Sequence, residues 1–353
     1  MHRHLITGGA GFIGSNLADH YLSQGLQVTI LDNFSRPGSE MNLAWLKSRH
    51  GSRFDVVRAD ICSPDGALLE AAANADVVFH LAAQVAVTTS VTDPRHDFEV
   101  NALGTFNVLE AARRAVSSPT VVYSSTNKVY GKLADLGIVE RNGRYAYETL
   151  AGGVSEDRPL DPYSPYGCSK CCGDQYVLDY GRIYGLKTVV FRQSCIYGPR
   201  QFGMEDQGWL AWFSIRALQG KPVTIYGDGK QVRDILYVGD LIAAYDSAVR
   251  NIDTTAGKAY NIGGGPENTL SLLELVEALN RTFGRELHCS FDDWRPGDQP
   301  VFVSSIAKAK SDFGWQPRVG VQDGLRQLTE WVKANNQLFE TKEQSACAIG
   351  VGD

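Results

Sequence analysis

The chain has 353 residues, 43% of them hydrophobic and 21% charged, with a formal net charge of −6, which suits a globular enzyme with a substantial core. That balance gives no basic footprint for nucleic acid, and no apolar run approaches the ~20 residues that span a bilayer. Neither a nucleic acid nor a membrane is therefore expected as a partner.

Seven scattered cysteines (Cys62, Cys168, Cys171, Cys172, Cys195, Cys289, Cys347) make an odd set, pointing to reduced thiols in a cytoplasmic protein and not to a disulfide framework. The chain enters a strand almost at once, which leaves no room for a signal peptide. Cys168-x-x-Cys171 has metal-like spacing but no second ligand pair, so no metal is expected.

The first half alternates short apolar runs with amphipathic stretches, the pattern of an α/β doubly wound parallel Rossmann sheet. Strands are expected at Leu5–Thr7, Val28–Leu31, Phe54–Arg58, Val77–Leu81, Thr120–Ser124 and Thr188–Arg192. Helices are expected at Gly14–Leu26, at Phe98–Val116 and from Tyr166 to about Tyr184. These elements make residues 1–191 a dinucleotide-binding domain. The polar, aromatic insertion from about Leu133 to Asp161 is expected to cover the active site. Beyond Arg192 the chain becomes rich in Gly, Pro, Trp and Tyr with shorter helices, and residues 192–335 read mainly as a smaller C-terminal substrate-binding lobe. Residues 234–263 are expected to return to the first domain. Residues 336–353 lack apolar periodicity and read as a disordered tail.

Thr7-Gly8-Gly9-Ala10-Gly11-Phe12-Ile13-Gly14 lies between the first strand and the first helix, where glycines let the backbone turn and approach a pyrophosphate. Gly14 allows close packing of helix on strand, with the helix N-terminus facing the phosphates. Asp32 ends the second strand, where a carboxylate accepts hydrogen bonds from the adenosine ribose; it favours NAD over NADP. Arg36 argues the other way, since an arginine pairs with a 2′-phosphate. Asn33 and Ser35 share that loop, Asp60 and Ile61 fall at the adenine edge, and Leu81, Ala82, Ala83 and Gln84 follow the fourth strand.

Chemistry concentrates in Ser124-Ser-Thr126-Asn127-Lys128 and in Tyr166-Gly-Cys-Ser-Lys170. One helical turn separates Tyr166 from Lys170, so both project from one face. The ammonium is expected to pull the phenol down from about 10 toward working pH. Thr126 is placed to supply a hydroxyl to the reacting oxygen of a substrate.

On these residues the chain resembles the extended short-chain dehydrogenase/reductase superfamily from Thr7 to about Trp331. Asn101-Ala-Leu-Gly-Thr105 and Gly314-Trp-Gln-Pro317 add to the likeness. Within it the chain resembles the CDP-paratose (CDP-tyvelose) 2-epimerase family, on Gln84–Ser90, Tyr123–Gly131, Ser164–Lys170, Asp206-Gln-Gly-Trp209 and Gly229–Asp234.

The resemblance implies an NAD-dependent isomerase that inverts C2 of a CDP-3,6-dideoxyhexose by transient oxidation. Thr126, Tyr166 and Lys170 would be catalytic. Phe12, Ile13, Asn101 and Ser124 would join the cofactor site. Asn127, Lys128, Gln193, Gln207, Tyr226, Arg233 and Arg295 would hold the nucleotide sugar, the two arginines clamping its diphosphate. A homodimer or homotetramer paired through the Phe98–Val116 and Tyr166–Tyr184 helices is also implied.

Alternatives remain open. A UDP-hexose 4-epimerase needs the same Thr, Tyr and Lys. A nucleotide-sugar 4,6-dehydratase is disfavoured, because those relatives carry Asp-Glu where this chain has Asn127-Lys128. A non-catalytic NAD-binding regulator has no use for an intact hydride-transfer set.

Overall fold

The computed structural model describes residues 3–63, 66–295 and 297–340. Val- and Ile-rich segments form a seven-stranded sheet, all of whose neighbouring pairs are parallel. Its strands are β1 (Arg3–Thr7), β2 (Gln27–Asp32), β3 (Asp55–Arg58), β4 (Val77–His80), β5 (Thr120–Thr126), β6 (Thr188–Gln193) and β7 (Lys258–Ile262), in the spatial order β7-β6-β5-β4-β1-β2-β3. Side chains alternate between its faces. Ile6, Phe79, Val122 and Val189 enter one buried cluster, while Leu5, Val78, Val121 and Val190 enter another. Both faces are therefore apolar, which is why the strands read as continuous hydrophobic runs. The strand order reverses between β1 and β4, opening a crevice at their carboxyl ends.

The smaller lobe has its own core, where Leu210, Phe213, Ile225, Leu275 and Leu328 meet. Its sheet comprises Cys195–Tyr197, Val232–Tyr237, Thr269–Ser271 and Val301–Phe302. The helix Leu272–Phe283 begins with a reciprocal cap: Ser271 accepts from the Glu274 amide and Glu274 from the Ser271 amide, satisfying two amides that the helix leaves unpaired. Because Val232–Tyr237 belongs to this small sheet, the chain returns to the large one at Val238. There the Val238–Arg250 helix packs on the Phe12–Ser23 helix, and β7 pairs with β6.

Three expectations change. The helix expected over Phe98–Val116 is built in pieces: Pro94–Phe98, a wide π-turn at Glu99–Leu103, and Gly104–Arg114. The Leu133–Asp161 insertion does not cover the site, since none of its residues lines the cleft. Its hairpin, Ile138–Arg141 with Arg144–Tyr147, clasps the smaller lobe. Arg144 pairs with Glu274 at 2.8 Å, Lys230 with Glu140 at 2.8 Å, and the Tyr145 hydroxyl donates to Asp228. Polarity and aromatics signalled a surface loop, but its partners lie far along the chain. Finally, Gln337–Glu340 form a helical turn, with the Phe339 ring 5.7 Å from both Phe202 and Trp331; residues 341–353 lie outside the described residues. Among the described residues no helix is long and apolar enough to cross a membrane.

Candidate active site

The cleft begins at the glycine turn. Gly8 has a φ of +68°, and a Cβ there would meet the Ala82 amide nitrogen at 2.7 Å, so only glycine fits this crossing of two strand ends. A Cβ on Gly14 would run into the Gly8 carbonyl, while one on Gly11 would meet only that carbonyl and otherwise point into open space. The Phe12–Ser23 helix has no side-chain cap, leaving its first amides to face an anion in the cleft. A dinucleotide pyrophosphate fits this cradle.

Asp32 is buried, accepting from the Ala10 amide at 3.0 Å and the Phe34 amide at 2.7 Å. Burial pushes its carboxyl up, and the two amides pull it back. Asp60 accepts from Asn33 and from the Cys62 amide, both at 2.8 Å. Ser35, Arg36, Ile61 and Leu81–Gln84 complete this part of the wall, together with Phe12 and Ile13. The Arg36 guanidinium donates across the cleft to Gln207 at 3.3 Å, with Asp206 nearby.

Strand β5 ends at Thr126, whose hydroxyl accepts from the Lys128 amide at 3.3 Å and starts a short 3-10 turn over Asn127–Tyr130. The helix Ser164–Tyr184 begins with Ser164 at a φ of +79°, a left-handed conformation that costs a non-glycine residue free energy. Its hydroxyl accepts from the Gly167 amide at 3.2 Å, which helps hold the turn that delivers Tyr166.

Tyr166 and Lys170 are both buried and line the same cleft as Thr126, whose hydroxyl donates to the Asn127 side-chain carbonyl at 3.3 Å. The Lys170 ammonium lies over the Tyr123 ring, 4.3 Å from its centroid. Burial pushes the Tyr166 phenol up to about 12, with Thr126 opposing and Asp97 adding to the rise. Burial pushes Lys170 down to about 7, while Asp174 and Asp97 favour its charge. The phenol is thus not lowered by Lys170 as expected: burial sets the direction. Both groups are desolvated, and for the phenol that burial outweighs the opposing influence of Thr126.

Asn101, expected at the cofactor, lines neither part of the cleft. Its side chain is buried, bonded to the Gln84 amide (3.0 Å) and carbonyl (3.1 Å), Asp97 (3.1 Å) and Ser169 (3.1 Å). It braces the cleft wall from behind.

Ser124, Thr126, Asn127, Lys128, Tyr166, Lys170, Gln193, Gln207, Tyr226, Arg233 and Arg295 all line the other end of the cleft. Gln193 donates to the Tyr245 hydroxyl. The Arg295 guanidinium stacks on the Tyr226 ring at 3.9 Å and donates to the Glu205 carbonyl at 2.9 Å. Tyr226 donates to the Glu205 carboxylate at 3.1 Å. Arg233 pairs with Asp298. The two ends share Phe12, Ile13, Leu81, Ala83 and Gln207, so the cleft is continuous from the glycine turn to Arg295.

Residues 4–263 match the model of the NAD dependent epimerase/dehydratase family. The chain belongs to that family. It is 46% identical to CDP-paratose 2-epimerase of Salmonella typhi over 336 residues, covering 94% of this chain and 99% of that protein. Among solved structures it resembles the UDP-glucose 4-epimerase of Thermus thermophilus in complex with NAD, with a TM-score of 0.79 and 34% identity over 94% of this chain and 99% of that one. It also resembles Bacillus cereus UDP-glucuronic acid 4-epimerase in complex with UDP-glucuronic acid and NAD, with a TM-score of 0.80 and 30% identity over the same shares.

This NAD-dependent epimerase also draws on residues that sequence reasoning did not select. Val87, Thr88, Glu205, Trp209, Phe213 and Asp298 line the cleft. Thr88 and Thr89 both donate to Asp206 at 3.3 Å, tying the short Val87–Thr92 helix to the smaller lobe. Val87, Thr88 and Trp209 stand in the segments Gln84–Ser90 and Asp206–Trp209 that carry the resemblance, and Asp298 follows Arg295 by three residues. Among the described residues no cluster of His, Cys, Asp or Glu could hold a metal ion.

Proposed function

We propose that the enzyme interconverts CDP-paratose and CDP-tyvelose, inverting C2 of a CDP-linked 3,6-dideoxyhexose. The observation that carries this reading is 46% identity along almost the full length of both chains to a CDP-paratose 2-epimerase, against 34% and 30% to the 4-epimerases named above.

The chemistry needs an oxidation. C2 of such a sugar has no neighbouring carbonyl, so its proton is not acidic enough for direct removal. NAD, held by the glycine turn and the Asp32 end of the cleft, would supply the hydride acceptor for C2 and the donor that restores it. Tyr166 takes the C2 hydroxyl proton and gives it back. Thr126, which lines the cleft beside that phenol, holds the same oxygen as it becomes the ketone. Lys170 favours the phenolate once a cationic ring adds its field to the buried site. Arg233 and Arg295 engage the diphosphate. Between the two hydride transfers the flat 2-keto sugar turns to present its other face.

Homodimer or homotetramer formation is part of this reading, supported by apolar side chains exposed on the two neighbouring helical segments: Phe98, Phe106, Tyr176 and Ile183. A cytoplasmic location is supported by six free cysteines among the described residues. The test is to incubate the enzyme separately with CDP-paratose, CDP-tyvelose, UDP-glucose and UDP-galactose and follow the sugar protons by NMR. Inversion of the CDP sugars is expected; turnover of the UDP sugars alone would favour the 4-epimerase.

A further inference from the structure

In a hexopyranose whose anomeric oxygen carries a diphosphate, C2 is joined to the β-phosphate through C1 and that oxygen alone, whereas C4 lies across the ring. A sugar that offers C2 to Tyr166 therefore carries its β-phosphate up beside the catalytic hydroxyls. A sugar that offers C4 swings the phosphate away. A cation close to Thr126 discriminates between the two poses.

Lys128 is that cation. It follows Thr126 by two residues, its amide donates to the Thr126 hydroxyl at 3.3 Å, and its side chain lines the same cleft as Tyr166. The side chain is only 19% exposed, and its ammonium lies 3.4 Å from the Gly297 carbonyl and 3.8 Å from Asp298. Those contacts are long, and an ammonium offers three donors. Asp298 is held more closely by Arg233, at 2.5 Å. Two cations thus share one carboxylate, leaving this junction net positive. Burial pushes the Lys128 ammonium down toward neutrality, while Asp298 opposes it; a desolvated cation of this kind gains most from an anionic ligand.

We propose that Lys128 determines the regiochemistry of the reaction: its ammonium binds the β-phosphate beside Thr126 and thereby sets C2, and not C4, against Tyr166. This deepens the 2-epimerase reading and rests on it. Lysine suits the role because it acts as a compact point charge on a flexible stem and follows the phosphate as the sugar turns over.

The test uses the NAD-loaded enzyme with Lys128→Met, which keeps the stem, and Lys128→Arg, which keeps the charge. Melting temperature and bound NAD verify folding. Affinity is measured for CDP and for CMP, which lacks the β-phosphate, and NMR reads C2-inverted and C4-inverted products from CDP-paratose.

For Lys128→Met, CDP affinity is expected to fall at least about tenfold, the scale of one charged hydrogen bond, with CMP affinity unchanged. The ratio of C2- to C4-inverted product should fall by a similar factor, and Lys128→Arg should recover much of both. Equal effects on CDP and CMP, or an unchanged product ratio, would overturn the proposal. Failure of the 2-epimerase reading itself registers separately, as no turnover of CDP-paratose by the unsubstituted enzyme.

Discussion

Arg192 grips Asp174 with two hydrogen bonds, at 2.9 and 3.0 Å, in the interior beneath the active site. The pair ties β6 to the helix that carries Tyr166 and Lys170, and the Ser125 hydroxyl adds a third bond to the same carboxylate at 2.8 Å. Asp174 lies one turn beyond Lys170 and also favours its charge. Asp174→Ala leaves a buried guanidinium uncompensated and should lower stability by about 3–5 kcal/mol. Urea unfolding checks this; a loss under about 1 kcal/mol would mean the pair is dispensable.

Tyr166→Phe keeps the ring and its packing but removes the phenol. Turnover should fall by roughly a hundredfold or more, the scale for losing a positioned acid/base, with NAD binding nearly intact. A variant that turns over at the unsubstituted rate would remove Tyr166 from the mechanism.

The buried Lys170 gives a pH signature. Its folded value of about 7 lies below the ordinary 10.5, so between those values the unfolded chain binds more protons. Folding stability of the NAD-free protein therefore gains from rising pH across that window. Lys170→Met lacks this contribution. The variant's stability relative to the unsubstituted protein should be highest near about pH 7 and decline toward about pH 9. A difference that stays flat with pH in urea titrations would show that Lys170 titrates normally.

Purified enzyme should carry NAD(H) without supplementation, because a ketone formed mid-cycle is stranded if the cofactor leaves. Asp32, expected at the ribose, would repel a 2′-phosphate. Denaturation followed by chromatography should release NAD(H). Recovering NADP(H) instead would mean that Arg36 outweighs Asp32.

Substrate deuterated at C2 should give product that keeps deuterium at C2, since the same hydride returns. Deuterium at C4 should show neither transfer nor an isotope effect. Washout of C2 label into solvent would exclude hydride return and require an exchangeable carbon acid.

The chain's local patterns determined the sheet, the glycine turn and the Thr126, Tyr166 and Lys170 set. Each depends on contacts within a few residues: apolar runs that bury both faces of a strand, glycines where β1 meets a helix, two side chains one turn apart. Tertiary structure alone decided what desolvation and distant partners control. Asn101 became a brace because its amide meets Gln84, Asp97 and Ser169, residues from three separate segments. The Leu133–Asp161 insertion became a clasp because Glu274, Asp228 and Lys230 fold toward it. Tyr166 is pushed up and not down because the folded interior strips water from phenol and ammonium alike. Spacing along a helix fixes which groups share a face, but the cost of charging them depends on what the rest of the chain packs around them.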